Sequence, residues 1–193
     1  MSVNVTRGRP RDPDLERRVH DAVLEVYWET GWAGFTLDAV ARRARVGRAA
    51  LYSRWSGKAA LLVEALEVRS PLPVPVDTGS VRGDLAELAR QLLDGYTGAA
   101  GLVTLRAAME ARVHPDLLAG LTETLNSSRL LAAREIVRRG VGRGELPEGT
   151  PTTLLLELVT GAVLSHVLFA PSGPRDPAYA DVVVDAALRA VTR

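Results

Sequence analysis

The chain contains no cysteine among its 193 residues, and this absence excludes disulfide bonds, thiolate zinc sites and cysteine nucleophiles. Histidine is scarce as well: His20, His114 and His166 lie far apart, and none has a second histidine three or four positions away to complete a metal site. No Gly-x-Ser-x-Gly motif is present, and the glycine-rich stretch 140–144 has neither dinucleotide spacing nor a Lys-Ser/Thr pair. We therefore predict that the protein is not an enzyme and uses no metal and no cofactor.

Signals for a membrane segment are also weak. Residues 1–18 have no apolar core of the kind found in a signal peptide. The most apolar run, 154–169, carries Glu157, Ser165 and His166 and is shorter than the roughly 20 residues that a bilayer requires. The sequence thus predicts no membrane partner and a cytoplasmic location.

Strand patterns are absent from the sequence, since no run alternates strictly between apolar and polar residues. Apolar residues instead recur at helical spacing, and an apolar content of 47% is enough to bury a core. We predict an all-α fold of about nine helices, with an N-terminal three-helix unit followed by a C-terminal helical bundle. The expected helices cover about 12–31, 37–44, 48–55, 58–69, 80–97, 101–113, 115–139, 151–170 and 177–191.

The distribution of proline and charge indicates two domains. Pro71, Pro73 and Pro75 forbid a helix and favour an extended spacer near the domain boundary. We assign 1–58, with its basic N-terminal arm, to the first domain and 59–193 to the second. Residues 1–58 hold 11 Lys or Arg against 7 Asp or Glu, whereas the rest of the chain holds 13 against 16. The excess of basic residues in 1–58 and of acidic residues in the rest of the chain suggests that the first domain binds a polyanion.

The segment 37–55 has the spacing of a helix-turn-helix, with two short helices joined by the turn Arg45-Val46-Gly47. Thr36 is placed to cap the first of these helices. Apolar side chains hold the two helices together, which leaves one face of the second helix free to enter the major groove of DNA. The residues on that free face are Arg48, Ala49, Tyr52 and Ser53.

These side chains suit recognition of double-stranded DNA. Arg48 can donate two hydrogen bonds to guanine, and Ala49 and Ala50 offer methyl contacts to thymine. Tyr52 and Lys58 suit phosphate. Lys58 begins a helix, where the dipole opposes a cation, so a nearby phosphate would explain its presence. A helical adaptor that binds only protein, the alternative class, would leave this basic face unexplained.

The segment from Phe35 to Leu61 resembles the DNA-binding signature of the TetR family of bacterial regulators. The shared features are Phe35-Thr36, the Ala-x-x-Ala-x-Val pattern that ends at Val46, the Leu51-Tyr52 pair, and Lys58 followed by Leu61. The resemblance implies a homodimer, phosphate contacts from Thr36, Tyr52 and Lys58, base contacts from the start of the third helix, and a C-terminal domain that binds a small molecule. Two positions depart from the family pattern: Arg45 replaces the usual glycine of the turn, and Gly47 replaces a capping Ser or Thr.

The N-terminal arm admits two interpretations. Arg7 and Arg9 flank a glycine and precede a proline, as in arms that insert arginine into the narrow minor groove of A·T-rich DNA. The alternative is a solvated basic tail without a DNA contact.

The C-terminal domain is expected to dimerise and to bind a small, mostly apolar effector that releases the protein, a repressor, from a pseudo-palindromic operator. Apolar inner faces with few polar groups predict the following effector-binding residues: Leu92, Tyr96, Met109, Leu125 and His166. Small and branched residues on the last two helices predict the following dimer contacts: Val159, Val163, Val183 and Ala187. The alternative is a filled core without a cavity, in which case a protein partner or protein abundance would regulate the chain.

Overall fold

The computed structural model describes residues 13–69, 74–98, 100–114, 131–170, 176 and 178–192. Within these residues every regular element is a helix, which confirms the all-α prediction. The helices are α1 (Pro13–Gly34), α2 (Leu37–Ala44), α3 (Arg48–Tyr52), α4 (Lys58–Arg69), α5 (Val81–Thr97), α6 (Gly101–Val113), α7 (described over 131–142), α8 (Thr152–Phe169) and α9 (Tyr179–Val191). The predicted site residues Arg7, Arg9 and Leu125 lie outside the described residues.

The chain forms two compact units, Met1–Ala65 and Leu66–Arg193. The boundary therefore lies inside α4 and not directly after Lys58, as the sequence suggested. Glu64 explains the difference, because its carboxylate lies 2.9 Å from Nε1 of Trp55 and 3.0 Å from Nε2 of His20. These two bonds attach the first turns of α4 to the N-terminal unit.

The N-terminal unit is built on one face of α1. Val19, Val23 and Tyr27 recur four residues apart and are fully buried. Tyr27 packs edge to face on Phe35, with the ring centroids 5.5 Å apart. Gly31, where the sequence predicted the helix end, has φ 62° and ψ −172°, and the chain resumes helical geometry until Gly34. The helix is kinked at this glycine.

The C-terminal unit has α5 at its centre, packed against α6, α8 and α9. Leu85, Leu88 and Leu92 form the buried face of α5, and Leu155 and Val159 of α8 meet the same core. α8 has a mean hydropathy of 1.7 over 18 residues, so its length and composition alone would suffice for a membrane span, although the sequence predicted none. Only 17% of its residues are fully buried within the chain. The others are partly buried or exposed, and the exposed ones include large apolar residues: Leu154, Leu158, Leu168 and Phe169.

The residues predicted to form dimer contacts on α8 and α9 differ in burial. Val159 and Val163 are fully buried and Ala187 is 3% exposed, so these side chains belong to the core of their own chain. Val183 is partly exposed. Met109, predicted to line an effector site, is 63% exposed on α6.

A buried carboxylate fixes the segment that precedes α5. Asp84 has no exposed surface, accepts hydrogen bonds from the backbone N–H and hydroxyl of Thr78, and pairs with Nη2 of Arg139 at 3.0 Å. Burial opposes ionisation of Asp84, but the bonds from Thr78 and Arg139 outweigh it and hold the pKa below its ordinary range. This pair joins the end of the proline-rich spacer to α5 and α7.

Candidate nucleic-acid interface

The first helix of the helix-turn-helix begins at the predicted cap. Thr36 has extended backbone geometry, and its hydroxyl oxygen accepts the N–H of Ala39 at 3.1 Å. Leu37, Val40 and Ala41 of α2 are buried against α1. The hydroxyl of Thr36 is exposed and retains its proton for donation.

The turn ends α2 with a left-handed residue. Arg45 has φ 55° and ψ 46°, the one positive φ outside glycine in the described part of the chain. The N–H of Val46 donates to the carbonyl of Ala41 at 3.0 Å, and that of Arg45 donates to Arg42 at 3.3 Å. Gly47 then caps α3 with its backbone alone, because it has no side chain to accept a free N–H. The turn thus forms without the residue types that usually stabilise it.

The recognition helix α3 is shorter than predicted, ending at Tyr52 instead of Trp55. The hydroxyl of Ser53 donates to the carbonyl of Ala50, and the N–H of Trp55 donates to Leu51 at 3.0 Å. Leu51 and Trp55 are buried and anchor the segment to the N-terminal unit. Its outer surface consists of the residues that the sequence assigned to it, all exposed: Arg48, Ala49, Tyr52 and Ser53. Ala50 is partly exposed beside them.

Two basic residues of this surface have partners that the sequence analysis missed. Nη1 of Arg48 lies 3.1 Å from Oδ2 of Asp38, in the first turn of α2. Nζ of Lys58 donates to the carbonyl of Trp32 at 2.8 Å and lies 4.0 Å from the centre of the Trp32 ring. Lys58 therefore has a structural partner at the end of α1, besides any phosphate. An acidic residue in the first turn of α2 was the available signal for the first pair.

A further arginine of this unit pairs with carboxylates of α1. Arg43 of α2 pairs with Glu25 at 2.9 Å and Glu29 at 2.7 Å. Its hydrogen bonds lower the pKa of Glu29 and raise that of Arg43. The two carboxylates outweigh the charge of Arg43, so this position adds no net positive charge to the surface.

The residues proposed for effector binding do not all meet. Leu92 and Tyr96 are buried on α5 within the main core of the C-terminal unit. His166 of α8 stacks on Tyr179, with 3.9 Å between ring centroids, and the Tyr179 hydroxyl donates to the carbonyl of Ala162 at 2.8 Å. Burial raises the pKa of Tyr179.

Known proteins share both units. Residues 20–65 match the family described as bacterial regulatory proteins of the tetR family, and residues 75–187 match the tetracyclin repressor-like C-terminal domain. The transcriptional regulator AqdR of Rhodococcus erythropolis is 33% identical over 83% of this chain and 78% of its own length. The DNA-binding transcriptional repressor TetR of Mycobacteroides abscessus is 30% identical over 98% of this chain and 97% of its own.

A solved structure shows the same fold. FadR of Bacillus subtilis, crystallised in complex with stearoyl-CoA, superposes with a TM-score of 0.67 at 16% identity, over 91% of this chain and 97% of FadR. The helix-turn-helix geometry and both family matches lead to one conclusion: the chain belongs to the TetR family of DNA-binding transcriptional regulators.

Proposed function

We propose that this regulator is a cytoplasmic repressor that binds a pseudo-palindromic operator as a homodimer and is released by a small, mostly apolar effector. The exposed face of α3 carries the proposal, because Arg48 and Tyr52 project from a helix anchored by Leu51 and Trp55. The repressor from Mycobacteroides abscessus, similar over nearly the whole chain, supports the direction of regulation.

Recognition of the operator divides between bases and phosphates. Arg48 reads guanine, and the methyl groups of Ala49 and Ala50 meet thymine. The phosphate contacts come from the following polar residues: Thr36, Tyr52, Ser53 and Lys58. The Lys58 ammonium carries three N–H donors and gives one to Trp32, so it still has donors for a phosphate. Arg7 and Arg9 extend the contact into the minor groove.

The dimer forms through the uncovered faces of α8 and α9. Exposed positions recur along α8 at intervals of four and three residues: 154, 158, 161, 165 and 168. Three of them are leucines, and the exposed fraction of the residue is 46%, 37% and 44% at Leu154, Leu158 and Leu168. On α9, Val182 is 60% exposed and Val183 is partly exposed. A large apolar face of this kind is expected to be buried by a second copy of the chain.

The effector binds in the C-terminal unit, whose apolar core includes Leu92 and Tyr96 of α5. His166 of α8, which stacks on Tyr179, is the polar residue assigned to orient it. α4 is one continuous helix that starts in the N-terminal unit and ends in the C-terminal unit, so it is the covalent route between effector and DNA. A coupling of about 1 to 3 kcal/mol would reduce operator affinity roughly 5- to 150-fold.

Selection of bound sequences from a randomised duplex library tests this function directly. The wild-type protein should enrich a two-fold symmetric sequence whose half-sites lie about 34–36 Å apart, centre to centre. Arg48→Ala should lose preference at one base position per half-site, by about 1–3 kcal/mol. Enrichment of no sequence would refute the proposed function.

A thermal shift screen with hydrophobic compounds, followed by DNA-release assays on the selected operator, tests the effector. A compound that raises the melting temperature and lowers operator affinity is expected. If every stabilising compound leaves DNA affinity unchanged, control by a protein partner or by abundance replaces the effector in the proposal.

A further inference from the structure

Asp38 and Arg48 form an ion pair across the turn of the helix-turn-helix. Oδ2 of Asp38 lies 3.1 Å from Nη1 of Arg48, and their side chains are 36% and 62% exposed. Asp38 belongs to the first turn of α2, and Arg48 is the first residue of α3. The carboxylate therefore lies beside the arginine assigned to base reading.

The pair occupies one corner of the guanidinium group. Arginine presents its N–H donors in a fixed planar fork, so a contact at Nη1 leaves Nε and Nη2 on the adjacent edge. Two donors on one edge are what a bidentate contact to O6 and N7 of guanine requires. An arginine held at Nη1 thus loses rotational freedom without losing its recognition edge.

Stability of the fold does not account for this pair. Exposed ion pairs contribute little to folding, since water screens them. The charge of Asp38 is favoured at a helix N-terminus whatever Arg48 does, so the helix dipole explains an acidic residue but not its contact with Arg48. The carboxylate of Asp38 also repels DNA phosphates, and this repulsion opposes a contact between Arg48 and the phosphate backbone.

We infer that Asp38 is a specificity-determining residue that positions the Arg48 guanidinium for guanine and keeps it from the phosphate backbone. The inference rests on the proposed role of Arg48 in base reading. Asp38 touches no base; it acts through Arg48. Removing its charge should therefore change sequence preference more than it changes affinity for DNA in general.

The test compares four full-length proteins: wild type, Asp38→Asn, Arg48→Ala and the double variant. Each is used in selection from a randomised duplex library, followed by competition between the selected duplex and its single-base variants at fixed salt. Asp38→Asn should lower discrimination roughly two- to fivefold, the range that an exposed ion pair provides, at the same base position that Arg48→Ala affects. Its affinity for unrelated duplex DNA should stay the same or rise, because a negative charge is lost.

Two controls separate positioning from a general effect. Asp14→Asn removes a carboxylate from the first turn of α1, where Asp14 pairs with Arg17, and should leave sequence preference unchanged. In the Arg48→Ala background, Asp38→Asn should have no further effect at the affected base position. An effect of equal size in both backgrounds, or equal weakening on every duplex, would overturn the inference. If Arg48→Ala abolishes base preference at one position and Asp38→Asn does not reduce it, only the proposed role of Asp38 is wrong. If Arg48→Ala leaves the selected sequence unchanged, the proposed role of Arg48 in base reading is wrong as well.

Discussion

Arg45 stores backbone strain in the turn that sets the recognition helix. A residue with a Cβ in left-handed geometry costs about 1–2 kcal/mol, and Arg45 has φ 55° and ψ 46°. Glycine removes that cost but gains roughly 0.5–1 kcal/mol of conformational entropy in the unfolded chain. On the backbone terms alone, Arg45→Gly should therefore stabilise the N-terminal unit by about 0.5–1 kcal/mol.

Tryptophan fluorescence during urea unfolding measures this change selectively. All three tryptophans, Trp28, Trp32 and Trp55, belong to the N-terminal unit, so their emission reports on that unit alone. The midpoint should move to higher urea with an unchanged slope, since the surface exposed on unfolding stays the same.

The matched control is Arg45→Ala, which removes the same guanidinium but keeps a Cβ in the strained position. Both variants lose the favourable effect of a cation near the C-terminus of α2, so their difference isolates the backbone. The free energy of unfolding of Arg45→Gly should exceed that of Arg45→Ala by about 0.5–1 kcal/mol. Equal stability of the two variants would show that the strain does not exceed the conformational entropy of glycine, roughly 0.5–1 kcal/mol, and would refute this account.

Three further predictions concern other parts of the chain. Gly47→Ser should raise the free energy of unfolding, measured in urea, by a few tenths of a kcal/mol, because a hydroxyl at this position can cap α3. The position accepts a side chain, since φ is −67° and no atom lies within 4 Å of an added Cβ. The control Gly47→Ala cannot cap the helix and should show no gain. Asp84→Asn should lower the stability of the C-terminal unit by roughly 3 kcal/mol at neutral pH. The pKa of Asp84 is lower in the folded protein, so its contribution to stability is fully present above the ordinary pKa of about 3.9 and is lost as pH falls through the lower folded value. The melting temperatures of the variant and the wild type should therefore converge in acid. A constant difference between the two melting temperatures would contradict the pKa assignment. Leu158→Glu should yield monomers in sedimentation. The control Leu102→Glu, at a comparably exposed leucine of α6, should stay dimeric. A stable wild-type monomer at micromolar concentration would count against the proposed interface.

Local signals predicted the helix-turn-helix well. The cap at Thr36 and the turn at Arg45 depend on residues within one helical turn of each other, so the sequence carries them directly. The partners of Arg48 and Lys58 were missed, because they depend on how helices pack and which rotamers result. Periodicity places Arg48 on a face but says nothing about the direction of its guanidinium.

The dimer contacts show a different limit of sequence analysis. α8 is apolar on nearly every side, so periodicity cannot distinguish the face that enters its own core from the face left for a partner. Packing against α5 and α9 buries Leu155, Val159 and Val163, and only the three-dimensional arrangement reveals this choice. Asp84 is similar, since an acidic residue in the first turn of a helix ordinarily suggests an exposed position.

The kink at Gly31 has a genetic consequence. Its φ of 62° and ψ of −172° lie in a region that is essentially restricted to glycine, so every amino-acid replacement at this codon adds a Cβ that the backbone disfavours. In a library of point mutants scored for DNA binding, position 31 should tolerate change as poorly as a residue that contacts DNA, although Gly31 is buried and offers no side chain to DNA. Gly57, with open space around its Cβ position and no positive φ, should accept substitution in the same screen. The positions that do not tolerate mutation would then include the bend of α1 as well as the residues that contact DNA. Measuring the abundance of each mutant protein would separate these two groups.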